Sequence, residues 1–263
     1  PLLTLEHFMT LTSKSSLALA ALCLCTSAFS QAKAPEPIYT LSYNVGATSD
    51  YRFRGISQTS FKPTLQGGVD FAHKSGLYLG VWGSGINWIK DYVTATEGNL
   101  EVDVYGGYKG EIKSGLSYDL GVITYQYPGN NAATKLANAN TTEVYAALTY
   151  GLVTAKYSRA TSNFIANNSS AGSAYFELAA AFDLGSGLTL TPHIGRQMIP
   201  NQAGDLGDYT DYSLTLAKDF GNGLSATVAA VGTNASASFY TNAVSPVENL
   251  GKNALTVGLK YSF

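Results

Sequence analysis

Two arginines and an aspartate stand at alternate positions in Asp50-Tyr51-Arg52-Phe53-Arg54, with aromatic residues between them. On an extended backbone successive side chains point to opposite faces, so the charges share one face and the rings the other. Four more carboxylates, Asp70, Glu101, Asp103 and Glu143, sit beside apolar neighbours in the same manner. Such a set permits two kinds of chemistry. Guanidinium groups facing carboxylates across a narrow aqueous passage set up a transverse field that selects solutes. The same groups can instead form a salt-bridge network that fills and stiffens an interior. The spacing leaves both readings open.

Other chemistry is thinly represented. Ser57, Gln58 and Thr59 could fold inward against a solute, although polar loop residues ordinarily satisfy nearby backbone groups. His73 falls in His73-Lys74-Ser75-Gly76, at a turn, and His193 alternates with Thr191 and Gly195. Neither is accompanied by an evident serine and carboxylate, so a hydrolytic triad is not encoded by spacing. Cys23 and Cys25 both lie in an N-terminal leader, so the remaining chain offers no thiolate ligand. No cofactor or metal site is apparent. A net charge of −2 gives no footprint for nucleic acid.

The elements that must position these residues are strands. Leu255, Val257, Leu259, Tyr261 and Phe263 point one way while Thr256, Gly258, Lys260 and Ser262 point the other. Leu100, Val102 and Val104 alternate likewise with Glu101, Asp103 and Tyr105. Short turns ending in Gly-Leu recur at Gly115, Gly151, Gly187 and Gly223, a step of about 36 residues. Each step holds two strands, one tight turn and one longer polar loop. The loops cover 54–63, 88–98, 128–140, 163–171, 197–208 and 234–253.

Short turns alternating with long loops are the asymmetry of a transmembrane antiparallel up-and-down β-barrel, with turns periplasmic and loops extracellular. The pattern predicts an all-β chain of about twelve strands. They are expected at 39–53, 64–73, 77–87, 99–108, 116–127, 141–150, 152–162, 172–184, 188–196, 209–220, 224–233 and 254–263. Leu41, Tyr43, Val45, Tyr51 and Phe53 would then face lipid, and Asp50, Arg52 and Arg54 the lumen. Composition agrees. Charged residues are only 13% of the chain, while Tyr (18), Phe (11) and Gly (27) are plentiful, as an interfacial girdle and a thin wall require.

The N-terminus reads as an export signal. Lys14 supplies a basic region, Leu17 to Phe29 an apolar one, and Ser30-Gln31-Ala32 a cleavage site. The apolar run is well short of the roughly 20 residues a spanning helix needs. The chain is thus expected to divide into a signal peptide over 1–32 and an outer-membrane barrel over 33–263. Residues ahead of Met9 read as upstream read-through.

Two stretches carry a resemblance. Ser49-Asp50-Tyr51-Arg52-Phe53-Arg54-Gly55-Ile56-Ser57-Gln58-Thr59 runs into Pro63-Thr64-Leu65-Gln66-Gly67-Gly68-Val69-Asp70, and Gly80-Val81-Trp82-Gly83-Ser84 follows. Together they resemble the TorF family of porin-like proteins, a proteobacterial outer-membrane family. The resemblance implies an outer-membrane barrel over the whole mature chain and, for function, a porin. Phe263 resembles the C-terminal aromatic residue by which the outer-membrane assembly machinery recognises its clients. The implied partners are that machinery, outer-membrane lipids, and small solutes or ions. A passive channel is therefore expected first. A closed barrel acting through its loops comes second, and a lipid-modifying enzyme third.

Overall fold

Apolar side chains can cover the outside of a sheet only where hydrocarbon replaces water, and there every backbone N–H and C=O must pair within the protein. The computed structural model meets that demand by closing the sheet. It describes residues 37–93, 97–130, 138–242 and 247–263. The expected leader over 1–32, with its start at Met9, lies outside the described residues.

The elements run β1 (Tyr39–Thr48), β2 (Arg52–Phe53), β3 (Ile56–Ser57), β4 (Thr64–His73), β5 (Leu77–Gly85) and a short helix α1 (Trp88–Val93). They continue with β6 (Leu100–Lys113), β7 (Leu116–Gln126), β8 (Thr141–Tyr150), β9 (Val153–Ala160), β10 (Ala174–Ala180) and β11 (Phe182–Gly185). The last are β12 (Leu188–Met198), β13 (Tyr209–Gly221), β14 (Leu224–Thr233) and β15 (Ala254–Ser262). All wall pairings are antiparallel between neighbours in sequence, and β1 pairs with both β4 and β15, which closes the ring. Phe263 finishes the seam: its N–H donates to the Tyr43 carbonyl at 3.0 Å and its own carbonyl accepts from Tyr43 N–H at 2.9 Å.

β10 and β11 are one strand with a break, so the wall has twelve strands, as the turn spacing predicts. Pro192 on β12 has a physical role in that break. It has no N–H to donate, and the ladder facing it is interrupted between Ala179↔His193 and Phe182↔Leu190. Ala181, in the gap, turns its N–H to the Leu152 carbonyl on the other side.

The alternation is also as read. Leu41, Val45, Leu79, Val104, Leu120, Leu148, Leu214, Val228 and Leu259 are exposed on the outer face. Glu101, Asp103, Glu143 and Asp211 are buried on the inner one. Such an apolar belt is what lipid requires. Two boundaries differ from expectation by more than two residues. β6 runs on to Lys113, and β1 stops at Thr48 rather than at position 53.

Inside, large rings fit a narrow tube because glycines make room for them. Tyr105 lies over Gly80, Tyr145 over Gly121 and Tyr175 over Gly195, each glycine on an adjoining strand. A Cβ on Gly195 would stand 2.0 Å from the Tyr175 hydroxyl, which holds Asp211 at 2.9 and 3.1 Å. Gly195→Ala should therefore displace the ring and cost about 1–3 kcal/mol, as overpacking does. A lowered urea midpoint for loss of the compact, unheated gel band is the expected result. An unchanged midpoint would mean that the ring is not held there.

Candidate functional site

The largest departure from the alternating pattern holds the candidate site. After Thr48 the chain leaves the wall and turns into the barrel, where β2 and β3 form a small hairpin. Its two central residues, Arg54 (φ 47°) and Gly55 (φ 81°), both have positive φ, the requirement of a two-residue turn of the primed kind. Glycine adopts that conformation freely. An arginine there costs on the order of 1–2 kcal/mol, so its contacts must offset that cost.

They are extensive. Arg54 donates to both carboxylate oxygens of Glu143, at 2.6 and 3.1 Å, and to Gln197 Oε1 at 2.8 Å. Its guanidinium lies 4.2 Å from the Tyr175 ring centre, 4.8 Å from Phe53 and 5.4 Å from Phe164. The tip is thus pinned to β8, β10 and β12, far across the ring from β1, where the segment starts. Burial alone would lower the Arg54 pKa, but the adjoining Glu143 carboxylate outweighs it and holds the group above its ordinary value.

Asp50 organises the base of the hairpin. It accepts from Arg52 Nε and Ser57 Oγ, at 2.5 and 2.6 Å, and from Thr59 Oγ1 at 3.0 Å. Arg52 also caps the carbonyls of Gly55, Leu250 and Lys252. The Gln58 carbonyl accepts from the N–H groups of Asn87 and Trp88. Ser57, Gln58 and Thr59 are therefore buried at the hairpin, where they satisfy backbone and hairpin groups.

The expected outward rings are corrected by this geometry. Tyr51 and Phe53 do not face lipid. The Tyr51 hydroxyl donates to Glu101 at 2.7 Å and its ring meets Trp82, while Phe53 packs on Tyr125 and Phe164. Strand alternation gave them the wrong side because the strand ends before them.

The predicted site residues are thus brought together only in part. Asp50 pairs with Arg52, and Glu143 with Arg54. Glu101 and Asp103 lie on β6 near Tyr51, without an ion pair to either arginine among the described residues. Asp70 sits apart, accepting from the Tyr105 hydroxyl.

A polar chamber of about 300 Å³ lies on one side of the hairpin, lined by Arg52, Arg54, Lys156, Glu177, His193 and Asp211. Lys156, Glu177 and Asp211 are not among the candidates read from the sequence. His193 Nε2 lies 3.2 Å from Glu177 and 3.3 Å from the Tyr175 hydroxyl, and its Nδ1 is 3.5 Å from Asp211. No serine hydroxyl bonds this histidine among the described residues. Deeper, Tyr78 joins Asp119 and Tyr145, both at 2.5 Å. On the loop side is a second cavity of about 410 Å³, and Phe53 lines both. The hairpin separates an outer vestibule from an inner lumen.

Two comparisons place this geometry among known proteins. Residues 31–263 match the family described as "Bacterial protein of unknown function (Gcw_chp)", and the chain belongs to that family. No match is found among curated proteins. A solved KdgM porin superposes with TM-score 0.52 at 9% identity, covering 85% of this chain and 98% of that one. A KdgM porin in complex with disordered oligogalacturonate gives TM-score 0.51 at 9% identity, with coverage of 85% and 98%. At that identity the likeness is one of fold: a twelve-stranded, porin-type barrel.

The ion pair at the tip can be separated from the turn itself. Arg54→Asn supplies a residue that favours positive φ but cannot bridge to Glu143. Removing either partner of a buried pair costs roughly 3–5 kcal/mol. Arg54→Asn and Glu143→Gln should each speed amide exchange over 52–57 by two or more orders of magnitude, and the double variant by less than the product. Exchange unchanged in the single variants would mean that the hairpin is held by other contacts.

Proposed function

We propose that this Gcw_chp-family barrel is an outer-membrane channel for passive diffusion of small hydrophilic solutes or ions, narrowed by its own inward hairpin. The observation that carries this reading is the wet, charged lining below the hairpin, where the side chains of Lys156 and Glu177 keep 35% and 27% of their exposure inside the ring. A barrel whose interior served only as packing would have little reason to leave charges hydrated there. The resemblance of residues 49–59 to TorF proteins, and the porin-type fold, support the same reading.

In this reading Asp50, Arg52, Arg54 and Glu143 form the constriction. Asp70, Glu101 and Asp103 are acidic groups of the wall around it. Acidic and basic side chains both face inward, with Glu177 and Asp211 beside Lys156 and His193 below the hairpin. Export would use the leader over 1–32. Phe263, stacked on Tyr43 and Tyr261, would serve recognition by the assembly machinery, and the outer apolar belt would meet outer-membrane lipid.

One observation favours a second reading. Twelve tilted strands enclose a lumen of only ~10 Å between facing side chains, and a two-stranded ribbon with its side chains is about as wide. The hairpin could therefore close the barrel completely, leaving the loops to act outside. Current across a planar bilayer separates the two. Discrete steps that grow with salt are expected of the channel, and reversal potentials then give its charge preference. A silent bilayer containing protein that migrates as a folded barrel would establish the closed form instead.

A further inference from the structure

We infer that the cavity on the loop side of the hairpin binds a neutral, polyhydroxylated ligand of mono- to disaccharide size. This goes beyond the channel reading, since an outer binding site could serve an open or a closed barrel. At about 410 Å³ the cavity falls within the range of small-molecule sites. Its lining contains no charged side chain among the described residues. Neighbouring charges are already paired: Arg52 with Asp50, Arg54 with Glu143, and Asp208 with Arg196. An ion entering there would lose hydration without gaining a counter-charge, which counts against ionic ligands.

The lining instead combines ring faces with amides. Tyr209, Tyr240 and Phe239 form one aromatic series, with successive ring centres 4.9 Å apart. Phe53, Trp88 and Phe164 supply other rings of the lining. The lining also includes Asn168 and Gln202. The Asn168 amide and Gln202 Oε1 have no hydrogen-bond partner among the described residues, while Gln202 Nε2 is committed to backbone carbonyls. Free amides can give and accept hydrogen bonds from adjacent hydroxyls, and ring faces suit the apolar C–H faces of a pyranose.

The wall is also strained where it meets the cavity. Ile165 and Ala166 hold φ of 38° and 59°, and a β-branched residue rarely adopts such a value. Strain of this kind collects at ligand clamps.

The chain has two tryptophans, and Trp82 lies under the hairpin against Tyr51. A Trp82→Phe variant therefore leaves Trp88, which lines the cavity, as the sole reporter. Titrating this folded protein in detergent with maltose and with cellobiose should give a saturable change in emission for at least one of them. Digalacturonic acid should bind at least tenfold more weakly. Phe239→Ala and Asn168→Ala, in two different loops outside the barrel wall, should each weaken the response at least fivefold while the folded gel band is kept. No saturable response to either neutral sugar, tighter binding of the acidic one, or a response indifferent to both loop variants would overturn the proposal. None of these readouts depends on current, so the channel reading stands or falls separately.

Discussion

A guanidinium carried into the middle of a narrow barrel is tolerable only if a carboxylate and hydrogen-bond acceptors wait for it there. Arg54 meets that condition with Glu143 and Gln197, and with three aromatic faces around it. Much of the interior follows from this one docking. The hairpin that carries Arg54 must leave the wall at Thr48 and stand on Asp50. It brings Tyr51 to Glu101 and Phe53 to Tyr125. In doing so it divides the barrel into a vestibule and a lumen. A buried pair of this kind adds little net stability compared with apolar packing, but it fixes where the hairpin goes.

The wall itself was written plainly in the sequence. Side chains on a strand repeat every two residues, and one face must meet lipid, so polar and apolar positions are forced to alternate. The Gly-Leu turns then set the strand count. Two features escaped that logic. Pro192 breaks the ladder between β10 and β11 without altering the count, and β6 continues past the expected end to Lys113. Neither changes which face a residue presents, so most of the lining was assigned correctly.

The site was legible only in its parts. Asp50, Arg52 and Arg54 were recognised as inward charges, and Glu143 as one of several available partners. Their arrangement was not readable, because alternation says nothing about a segment that leaves the sheet. Tyr51 and Phe53 were placed outside by extending β1 through a loop. The available signal was Arg54-Gly55 between short extended runs, a pair able to form a tight turn. Tyr175, Glu177, His193 and Asp211 were each inward by parity, yet their convergence needed the closure of strands distant in sequence. Single-strand patterns carry no such information.

If residues 49–61, which enter the barrel, set its free cross-section, removing the hairpin should widen the passage. The most direct test is the single-channel conductance of a chain in which residues 51–58 are replaced by Gly-Ser-Gly, measured beside the unaltered protein. If the hairpin is the constriction, the steps should become several-fold larger, or appear where the intact chain is silent. Equal conductance from both folded proteins would contradict the account and place the limiting section in the wall itself.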